Sequence, residues 1–209
     1  RDGAMAEYVS VKESNLLKIS DNTSYEDAAT TDPCANAIHG MMRAGFKPGD
    51  SICVSGAGPI GLFAVQYAKI KGASKIIATD VWDEKLEQAK KVGADLVINS
   101  LKEDTVAAVK AATDGEGCNV VIDFSGAPSA QKACIRMATK LGRVVFLGIS
   151  HKGLELSDKD IDWIMRGQLD IRGSWNSFTD PFPGSDWTDS VELFEKYGMT
   201  AKDIISHRL

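Results

Sequence analysis

The segment from Asp50 to Asp80, DSICVSGAGPIGLFAVQYAKIKGASKIIATD, constrains the fold of this chain more than any other feature. It predicts a buried strand, a glycine-rich turn, a helix and a second strand that closes on an acid. Gly56, Gly58 and Gly61 have the G-x-G-x-x-G spacing that is typical of a dinucleotide-binding turn. A strand–turn–helix–strand unit of this kind belongs to an α/β protein with a parallel sheet.

Each glycine of this turn has a physical task when a dinucleotide binds. Gly56 permits the tight turn, Gly58 lets the backbone approach a pyrophosphate, and Gly61 lets the helix pack close to the sheet. The helix N-terminus offers amides and the positive end of a dipole to the phosphates, with Ile60, next to Pro59, as the predicted donor. FAD and S-adenosylmethionine domains share the glycine pattern and are the alternatives.

Asp80 predicts which nicotinamide dinucleotide binds. It lies 19 residues after Gly61, where a carboxylate accepts hydrogen bonds from the adenosine ribose. The same carboxylate would repel a 2′-phosphate, and no arginine directly follows it. The sequence therefore predicts NAD rather than NADP.

Composition excludes two classes of partner. The net charge of -5 gives no basic surface for nucleic acid, and no apolar run approaches the length needed to cross a membrane. The four cysteines form no C-x-x-C pair, so we expect buried, reduced thiols in a cytoplasmic protein. The chain begins without methionine, and we expect it to be a piece of a longer protein.

The alternation of strands and helices continues beyond Asp80. Ser100 with Glu103 and Ser157 with Asp160 predict capping boxes at two of the later helices. Six strands separated by helices predict a doubly wound, six-stranded parallel sheet of the Rossmann type, which binds ligands at the carboxyl ends of its strands. The four later strands are predicted at Leu96–Asn99, Val120–Phe124, Arg143–Leu147 and Leu169–Ser174.

Several motifs occur in the order typical of one enzyme family. DGAMAEYVSV at residues 2–11, YEDAATTDPCANAIHG at 25–40 and GAGPIGLFAVQYAK at 56–69 are followed by DFSGAPSA, VVFLGI and IRGSW. Together they resemble the medium-chain dehydrogenase/reductase family, especially its zinc-dependent polyol and threonine dehydrogenases. GSWNSFTDPFPGSDW is similar to dehydrogenases of the galactitol-phosphate type, whereas TDPCANAIHG is closer to threonine dehydrogenases.

The resemblance implies three parts: residues 1–30 as a remnant of a β-rich, GroES-like catalytic domain, residues 31–175 as an NAD-binding Rossmann domain, and residues 176–209 as a return segment. It implies NAD-dependent, zinc-assisted oxidation of a secondary alcohol, a polyol or polyol phosphate, with the catalytic residues and most zinc ligands upstream of this chain. A threonine 3-dehydrogenase-like enzyme, a zinc-free quinone-reductase-like member and a nucleotide-binding module without chemistry are the alternatives.

Further cofactor contacts follow from the resemblance. Lys85 lies where the family places a basic residue against the adenosine ribose, although an exposed helix lysine explains it too. Ser125 and Gly126 either wall the adenine side or form a simple strand-to-helix turn. The ends of the fifth and sixth strands are implied to meet the nicotinamide. These strand-end residues are Leu147, Gly148, Ile149, Ser174 and Trp175.

Asp32 is the metal candidate of this chain. In the resembling family an acid at this place approaches or ligates the catalytic zinc, and carboxylate oxygen is a competent zinc ligand. Capping of a helix that begins near Pro33 explains Asp32 equally well. Asn36, one turn on, is a candidate to face the nicotinamide, and we expect His39 to be a packed helix residue rather than a general base.

The sixth strand also predicts assembly. An unpaired edge strand exposes backbone donors and acceptors that invite pairing, and the resembling dehydrogenases dimerise through this edge. We therefore expect a homodimer through Leu169–Ser174, with a tetramer as an alternative for the longer protein. A monomer whose edge is solvated, or covered by the helix near Trp187–Lys196, is the competing interpretation.

Overall fold

The computed structural model describes residues 3–179 and 181–207. At its centre lies a parallel sheet of six strands. The strands are β1 (Ser51–Ser55), β2 (Lys75–Asp80), β3 (Leu96–Asn99), β4 (Cys118–Asp123), β5 (Ala138–Phe146) and β6 (Asp170–Gly173). Their spatial order is β3-β2-β1-β4-β5-β6, the order of dinucleotide-binding Rossmann sheets. The predicted fold class is confirmed.

Helices cover both faces of this sheet. Helices α2, α3, α4 and α8 contribute to the core on one face, and α5 and α6 to the core on the other. The helices are α1 (Tyr25–Ala29), α2 (Thr31–Arg43), α3 (Pro59–Ile70), α4 (Asp83–Val92), α5 (Thr105–Ala111), α6 (Pro128–Met137), α7 (Asp158–Gly167) and α8 (Ser185–Lys196). No helix among the described residues is long and apolar enough to cross a membrane.

Strand β1 shows why its sequence is continuously apolar. Successive side chains of a strand point to opposite faces, so Ile52 and Val54 enter the core on the α2–α3 side while Cys53 enters the core on the α5–α6 side. All three are fully buried. The four cysteines are buried and free, as predicted. Burial raises the pKa of the Cys34 and Cys118 thiols to about 12, which suppresses thiolate reactivity at neutral pH.

Helix boundaries were predicted with mixed success. The capping box at Ser157 and Asp160 is confirmed at the start of α7. The box predicted at Ser100 is wrong, because α5 begins later and Asp104 caps it by accepting a hydrogen bond from the Ala107 amide at 3.1 Å. Two adjacent polar segments could each cap this helix, and local pattern alone does not choose between them.

The segment before α2 was predicted to contain strand. Within residues 3–30 the structure instead has a 3-10 turn at Glu13–Asn15 and the short helix α1. Glu195 of α8 ties this segment down by accepting hydrogen bonds from the Ser20 amide at 2.7 Å and the Thr23 hydroxyl at 3.1 Å. Residues 1–2, 180 and 208–209 of the predicted flanking parts lie outside the described residues, and the three-part division of the chain stays a prediction.

Candidate cofactor site

The glycine-rich turn joins β1 to α3. It packs tightly against the helix at Gly61 and has free space beside Gly58. Gly56 has a φ of 103°, a conformation that favours glycine. A Cβ added at Gly61 would lie 2.0 Å from the carbonyl oxygen of Gly56, so only glycine allows α3 to approach the turn. A Cβ added at Gly58 would meet no atom within 4 Å, which leaves that side free for a ligand.

Helix α3 begins at this turn with Pro59 as its first residue, where the missing N–H costs nothing. Within the described part of the chain no side chain caps the helix at Gly58. First-turn amides such as that of Ile60 are therefore available to an anion, which the helix dipole also favours.

Asp80 holds the turn from the end of β2. One carboxylate oxygen accepts a hydrogen bond from the Ala57 amide at 2.8 Å, and the other accepts from the amides of Val81 and Trp82 at 2.7 and 3.1 Å. Sequence reasoning foresaw a ligand-binding role for Asp80 and missed this structural one. A carboxylate has about four acceptor sites, so three backbone bonds leave capacity for a further donor.

A cavity of about 270 Å³ opens beside Asp80 at the carboxyl ends of the strands. It lies where the strand order reverses between β1 and β4, the position at which open α/β sheets bind their ligands. Its walls come from the ends of β1 and β2, the turns after β3 and β4, the start of α5 and one side of α6. Among its lining residues are Gly56, Asp80, Val81, Ser100, Ser125 and Ala127.

Asp123, which sequence reasoning missed, organises the turn after β4. Its carboxylate is fully buried and accepts hydrogen bonds from the Ser125 amide and hydroxyl, the Gly126 amide and the Gln131 side chain, at 2.7 to 3.1 Å. The signal was an acid followed by Ser-Gly at a strand end, a pattern in which a short side chain satisfies its own turn. Ser125 and Gly126 are thereby fixed in place.

The turn after β5 packs directly against that turn. A Cβ added at Gly148 would lie 2.1 Å from the Gly126 nitrogen, so close packing explains Gly148 without any ligand. The amides of Leu147 and Gly148 donate to the Asp123 carbonyl at 3.0 and 2.9 Å. Ile149 is exposed, and its role at the nicotinamide stays a prediction, as do those of Leu147 and Gly148.

The turn after β6 contains an unpartnered polar atom. Ser174 donates its amide to the Phe146 carbonyl at 2.9 Å, whereas its buried hydroxyl oxygen has no hydrogen-bond partner among the described residues. Buried polar groups without a partner are uncommon and often mark the place of a missing ligand or water. Trp175, the next residue, is exposed. This end of the sheet is thus incomplete in its hydrogen bonding.

The contact of Lys85 with the adenosine ribose stays a prediction. Lys85 is half-buried on α4 and, of the residues that the structure describes, it is not one that lines the cavity. Asp83 on the same helix accepts hydrogen bonds from the Lys102 ammonium at 2.6 Å and from the Asn99 side-chain nitrogen at 2.7 Å. The hydrogen bond from Lys102, with a second from Asn99, lowers the pKa of the Asp83 carboxyl.

A second cleft, which we name the α2 cleft, lies between the first turns of α2 and the loop after β6. It has a volume of about 450 Å³ and is lined by Asp32, Asn36, Asn176, Ser177, Phe178, Thr179 and Phe182. Helix α2 begins at Thr31 with Thr30 as its N-cap, so the interpretation of Asp32 as the cap is wrong. The Asn36 side chain donates to the Asp32 carbonyl at 2.9 Å.

The residues present do not form a zinc site by themselves. Among the described residues, no three histidine, cysteine, aspartate or glutamate side chains are placed to hold a metal ion. Asp32 offers one carboxylate, whereas a catalytic zinc has three protein ligands as a rule. His39 is bonded to a buried carboxylate of α8, Asp186, at 3.1 Å, which agrees with its expected role as a packed helix residue.

Comparisons with known proteins agree with this geometry. The family model described as zinc-binding dehydrogenase matches residues 59–196, more than half of the chain. Galactitol 1-phosphate 5-dehydrogenase of Escherichia coli is 28% identical over 100% of this chain and 60% of its own length. The crystal structure of galactitol-1-phosphate dehydrogenase from Escherichia coli superposes over the same shares with a TM-score of 0.92.

Two further relatives have higher identity over shorter segments. L-Threonine 3-dehydrogenase of Caldanaerobacter subterraneus is 41% identical over 71% of this chain and 42% of its own length. Sorbitol dehydrogenase of Bacillus subtilis is 34% identical over 82% of this chain and 48% of its own length. The chain thus spans between 42% and 60% of the relatives it matches. It belongs to the zinc-binding dehydrogenases of the medium-chain type, in the branch that contains polyol and threonine dehydrogenases.

Proposed function

We propose that this chain is the NAD-binding part of an enzyme that oxidises a secondary alcohol, a polyol or polyol phosphate, by hydride transfer to the nicotinamide. One observation carries the proposal: an open glycine turn, pinned by Asp80, stands at the switch point of a Rossmann sheet in a member of a dehydrogenase family. Only a ligand with a phosphate and a ribose uses both parts of this arrangement.

On this proposal NAD would lie along the carboxyl edge of the sheet, with contacts at the turns after β1, β2, β5 and β6. The pyrophosphate would lie against Gly58 and the Ile60 amide, where α3 has no side-chain cap. The adenosine ribose would donate to the free acceptor site of Asp80. The nicotinamide would lie near the turns after β5 and β6, where it would supply a hydrogen-bond partner for the buried Ser174 hydroxyl. The tryptophan Trp175 would border that end, and Lys85 would reach the ribose from outside the cavity wall.

NAD supplies the hydride acceptor, and this chain supplies its position. Asp80 and the amides of α3 fix the adenosine half, which determines where the nicotinamide reaches. A carboxylate already fixed by three backbone amides pays no ordering entropy when the ribose binds. In the complete protein, Asp32 would add one ligand to a zinc ion whose remaining ligands lie outside the described residues.

The substrate is inferred from the relatives. Their names include galactitol 1-phosphate and sorbitol dehydrogenases, and the loop that lines the α2 cleft has the sequence by which this chain resembles the galactitol-phosphate type. The alternative, a threonine 3-dehydrogenase, is favoured by the α2 sequence that carries Asp32 and Asn36. A zinc-free quinone-reductase-like enzyme and a bare nucleotide-binding module remain outcomes of the tests below.

Replacement of Asp80 tests the cofactor part of the proposal. We expect the unmodified chain to bind NAD at least tenfold more tightly than NADP, about 1.4 kcal/mol, in calorimetric titrations. Asp80→Asn removes the charge and should narrow that ratio to below about threefold, or 0.7 kcal/mol. The matched control is Asp95→Asn, since Asp95 also accepts from a backbone amide, that of Ile76 at 2.7 Å, but at the other end of β2. Equal affinities of the unmodified chain for the two cofactors would refute the assignment.

We further propose that the chain forms a homodimer through β6. This strand is the outer edge of the sheet, and Ile171 at its centre is partly exposed. The neighbouring charges, Asp170 and Arg172, pair with each other, so they present little net charge to a second copy. Helix α8 packs on α2, with Leu193 in the core. Two edges related by a two-fold axis would form an isologous contact. The buried free cysteines support a cytoplasmic location.

A further inference from the structure

Three polar residues of α2 form one stripe, and two of them line the α2 cleft. Asp32, Asn36 and His39 are separated by four and three residues, so they lie on one face of the helix. Asp32 and Asn36 are lining residues of the cleft. His39, at the end of the stripe, is bonded through Nδ1 to Asp186 of α8 at 3.1 Å. We define the cleft loop as residues 176–179 and 181–184, the segment that precedes α8. The stripe therefore runs along α2 from the α2 cleft to α8.

Asp186 joins the cleft loop to α8. One of its carboxylate oxygens accepts from the Trp187 amide at 3.0 Å and lies 3.5 Å from the Thr179 hydroxyl. Thr179 also packs on Gly184, where an added Cβ would lie 2.0 Å from the Thr179 hydroxyl oxygen. The ring of Phe182 contacts that of Trp187 edge to face, with centroids 5.3 Å apart. The loop is thus folded back onto the start of α8, with Asp186 beneath it.

Asp186 carries a buried carboxylate, and His39 of α2 is a hydrogen-bond partner that this carboxylate needs. Its carboxylate is fully buried, and a buried charge is costly unless it is paired and hydrogen-bonded. Among the described residues, His39 is the basic side chain found within ion-pair distance of it. Loss of His39 would leave a buried carboxylate short of a donor, and that carboxylate would gain hydration if α8 and the loop moved outward.

We propose that His39 and Asp186 are a positioning pair that keeps the cleft loop closed over Asp32 and Asn36. The pair sets the width of the cleft, because His39 of α2 contacts Asp186 and Asp186 in turn contacts Thr179 of the cleft loop. That this cleft faces the substrate depends on the proposed function, whereas the closure of the loop depends only on the contacts described above.

The opening of the loop can be measured on the 209-residue chain without any cofactor. Ser177 lines the cleft and is buried, so Ser177→Cys introduces a thiol that reacts with a maleimide only when the loop opens. Cys53, Cys118 and Cys134 are buried in the core on the α5–α6 side, and we call them the native thiols. Their labelling, resolved by peptide mass spectrometry, reports global opening in the same sample. Cys34 is not used, because it lies in the core that α2 shares with α8. Because a hydrogen bond to a charged group stabilises closure, His39→Leu should speed labelling of the introduced thiol at least tenfold while native thiols stay slow.

The conservative variant separates positioning from packing. In His39→Asn the side-chain amide nitrogen lies as many bonds from Cα as Nδ1 does, so this variant should restore slow labelling. The matched control is Leu193→Ala, which loosens the buried α2–α8 contact but keeps both His39 and Asp186. The ratio of the labelling rate of the introduced thiol to that of the native thiols should change less than twofold in this variant. If His39→Leu does not fold, Thr179→Val cuts the link at its loop end and should give the same acceleration.

Three results would overturn the proposal: no acceleration in His39→Leu or Thr179→Val, parallel acceleration of the native thiols, or equal acceleration in Leu193→Ala. Failure of His39→Asn to slow labelling would also count against it. Because labelling is done without NAD, a chain that fails to bind NAD refutes the proposed function and leaves this result interpretable. A chain that binds NAD but shows no change in labelling refutes the inference about the cleft loop and leaves the proposed function standing.

Discussion

Two glycines of the same turn should respond in opposite ways to the same substitution. In Gly61→Ala the new methyl group would lie 2.0 Å from the Gly56 carbonyl oxygen and 3.3 Å from a Val54 methyl group. The obstacle is backbone rather than a flexible side chain, so α3 has to move away from the sheet. Overpacking of this kind costs about 1–3 kcal/mol, which for a chain of this size lowers Tm by roughly 2–12 °C.

Gly58→Ala meets no such obstacle. The residue has a φ of -73°, which alanine adopts freely, and no atom lies within 4 Å of the new methyl group. The small cost of alanine at an N-cap and the entropic gain from replacing glycine are each below about 1 kcal/mol and oppose one another. We therefore expect Tm to stay close to that of the unmodified chain, while NAD affinity falls at least tenfold, about 1.4 kcal/mol, because the methyl group occupies the approach of the pyrophosphate.

Thermal unfolding by circular dichroism and calorimetric titration with NAD measure the two effects separately. Gly153→Ala is the control, since Gly153 lies in an exposed loop with no atom near its added Cβ, and neither quantity should change. A Gly58→Ala variant that binds NAD as the unmodified chain does would show that the pyrophosphate does not approach there. A Gly61→Ala variant with unchanged Tm would show that close packing of α3 is not required.

Two further predictions concern stability and assembly. Asp160 is buried, and hydrogen bonds from Ser157, with a further one from Arg136, hold the pKa of its carboxyl far below the usual range. The ionised carboxylate therefore stabilises the folded state fully above about pH 4, and this stabilisation is lost as the pH falls further. Asp160→Asn should lower the free energy of unfolding in urea at pH 7 by about 3 kcal/mol, a deficit that shrinks in acid, and a constant deficit would contradict the reasoning. Ile171→Lys should yield monomers in sedimentation experiments where the unmodified chain dimerises, while Tm is retained; an unmodified chain that stays monomeric at high concentration would exclude the dimer.

The parts of the fold that were predictable depend on local patterns. The glycine turn, the Pro59 helix start and the capping box at Ser157 each require residues within a few positions of one another, so the sequence displays them directly. The doubly wound sheet also follows once six alternating units are recognised, whereas right-handed crossovers allow more than one strand order. By contrast, the segment before α2 resembles part of a β-rich domain, yet a strand requires a neighbour to pair with, and no described strand pairs with this segment.

The parts of the site that were missed depend on distant partners. The bond between Asp80 and the Ala57 amide joins residues 23 positions apart, and the pair of His39 and Asp186 spans 147. No local pattern distinguishes a carboxylate that will accept three backbone amides from one that will face solvent. Asp123 is a different case, because its side-chain partners Ser125, Gly126 and Gln131 lie within eight residues of it. Its local signal, an acid before Ser-Gly, was present in the sequence and was overlooked.

Helix α2 contacts both the α2 cleft and the turn after β5, which under the proposed function bears on hydride transfer. It lines one cleft with Asp32 and Asn36, and Gly40, two turns after Asp32, packs against the Leu147 side chain, which lies 3.1 Å from the position of an added Cβ. A transferring hydride requires its donor and acceptor atoms about 3–3.5 Å apart. Under the proposed function, a single helix that contacts both the α2 cleft and the turn after β5 would help to set that distance. On the proposed function, the closure of the cleft loop by His39 therefore acts on the same helix that packs against the turn proposed for the nicotinamide.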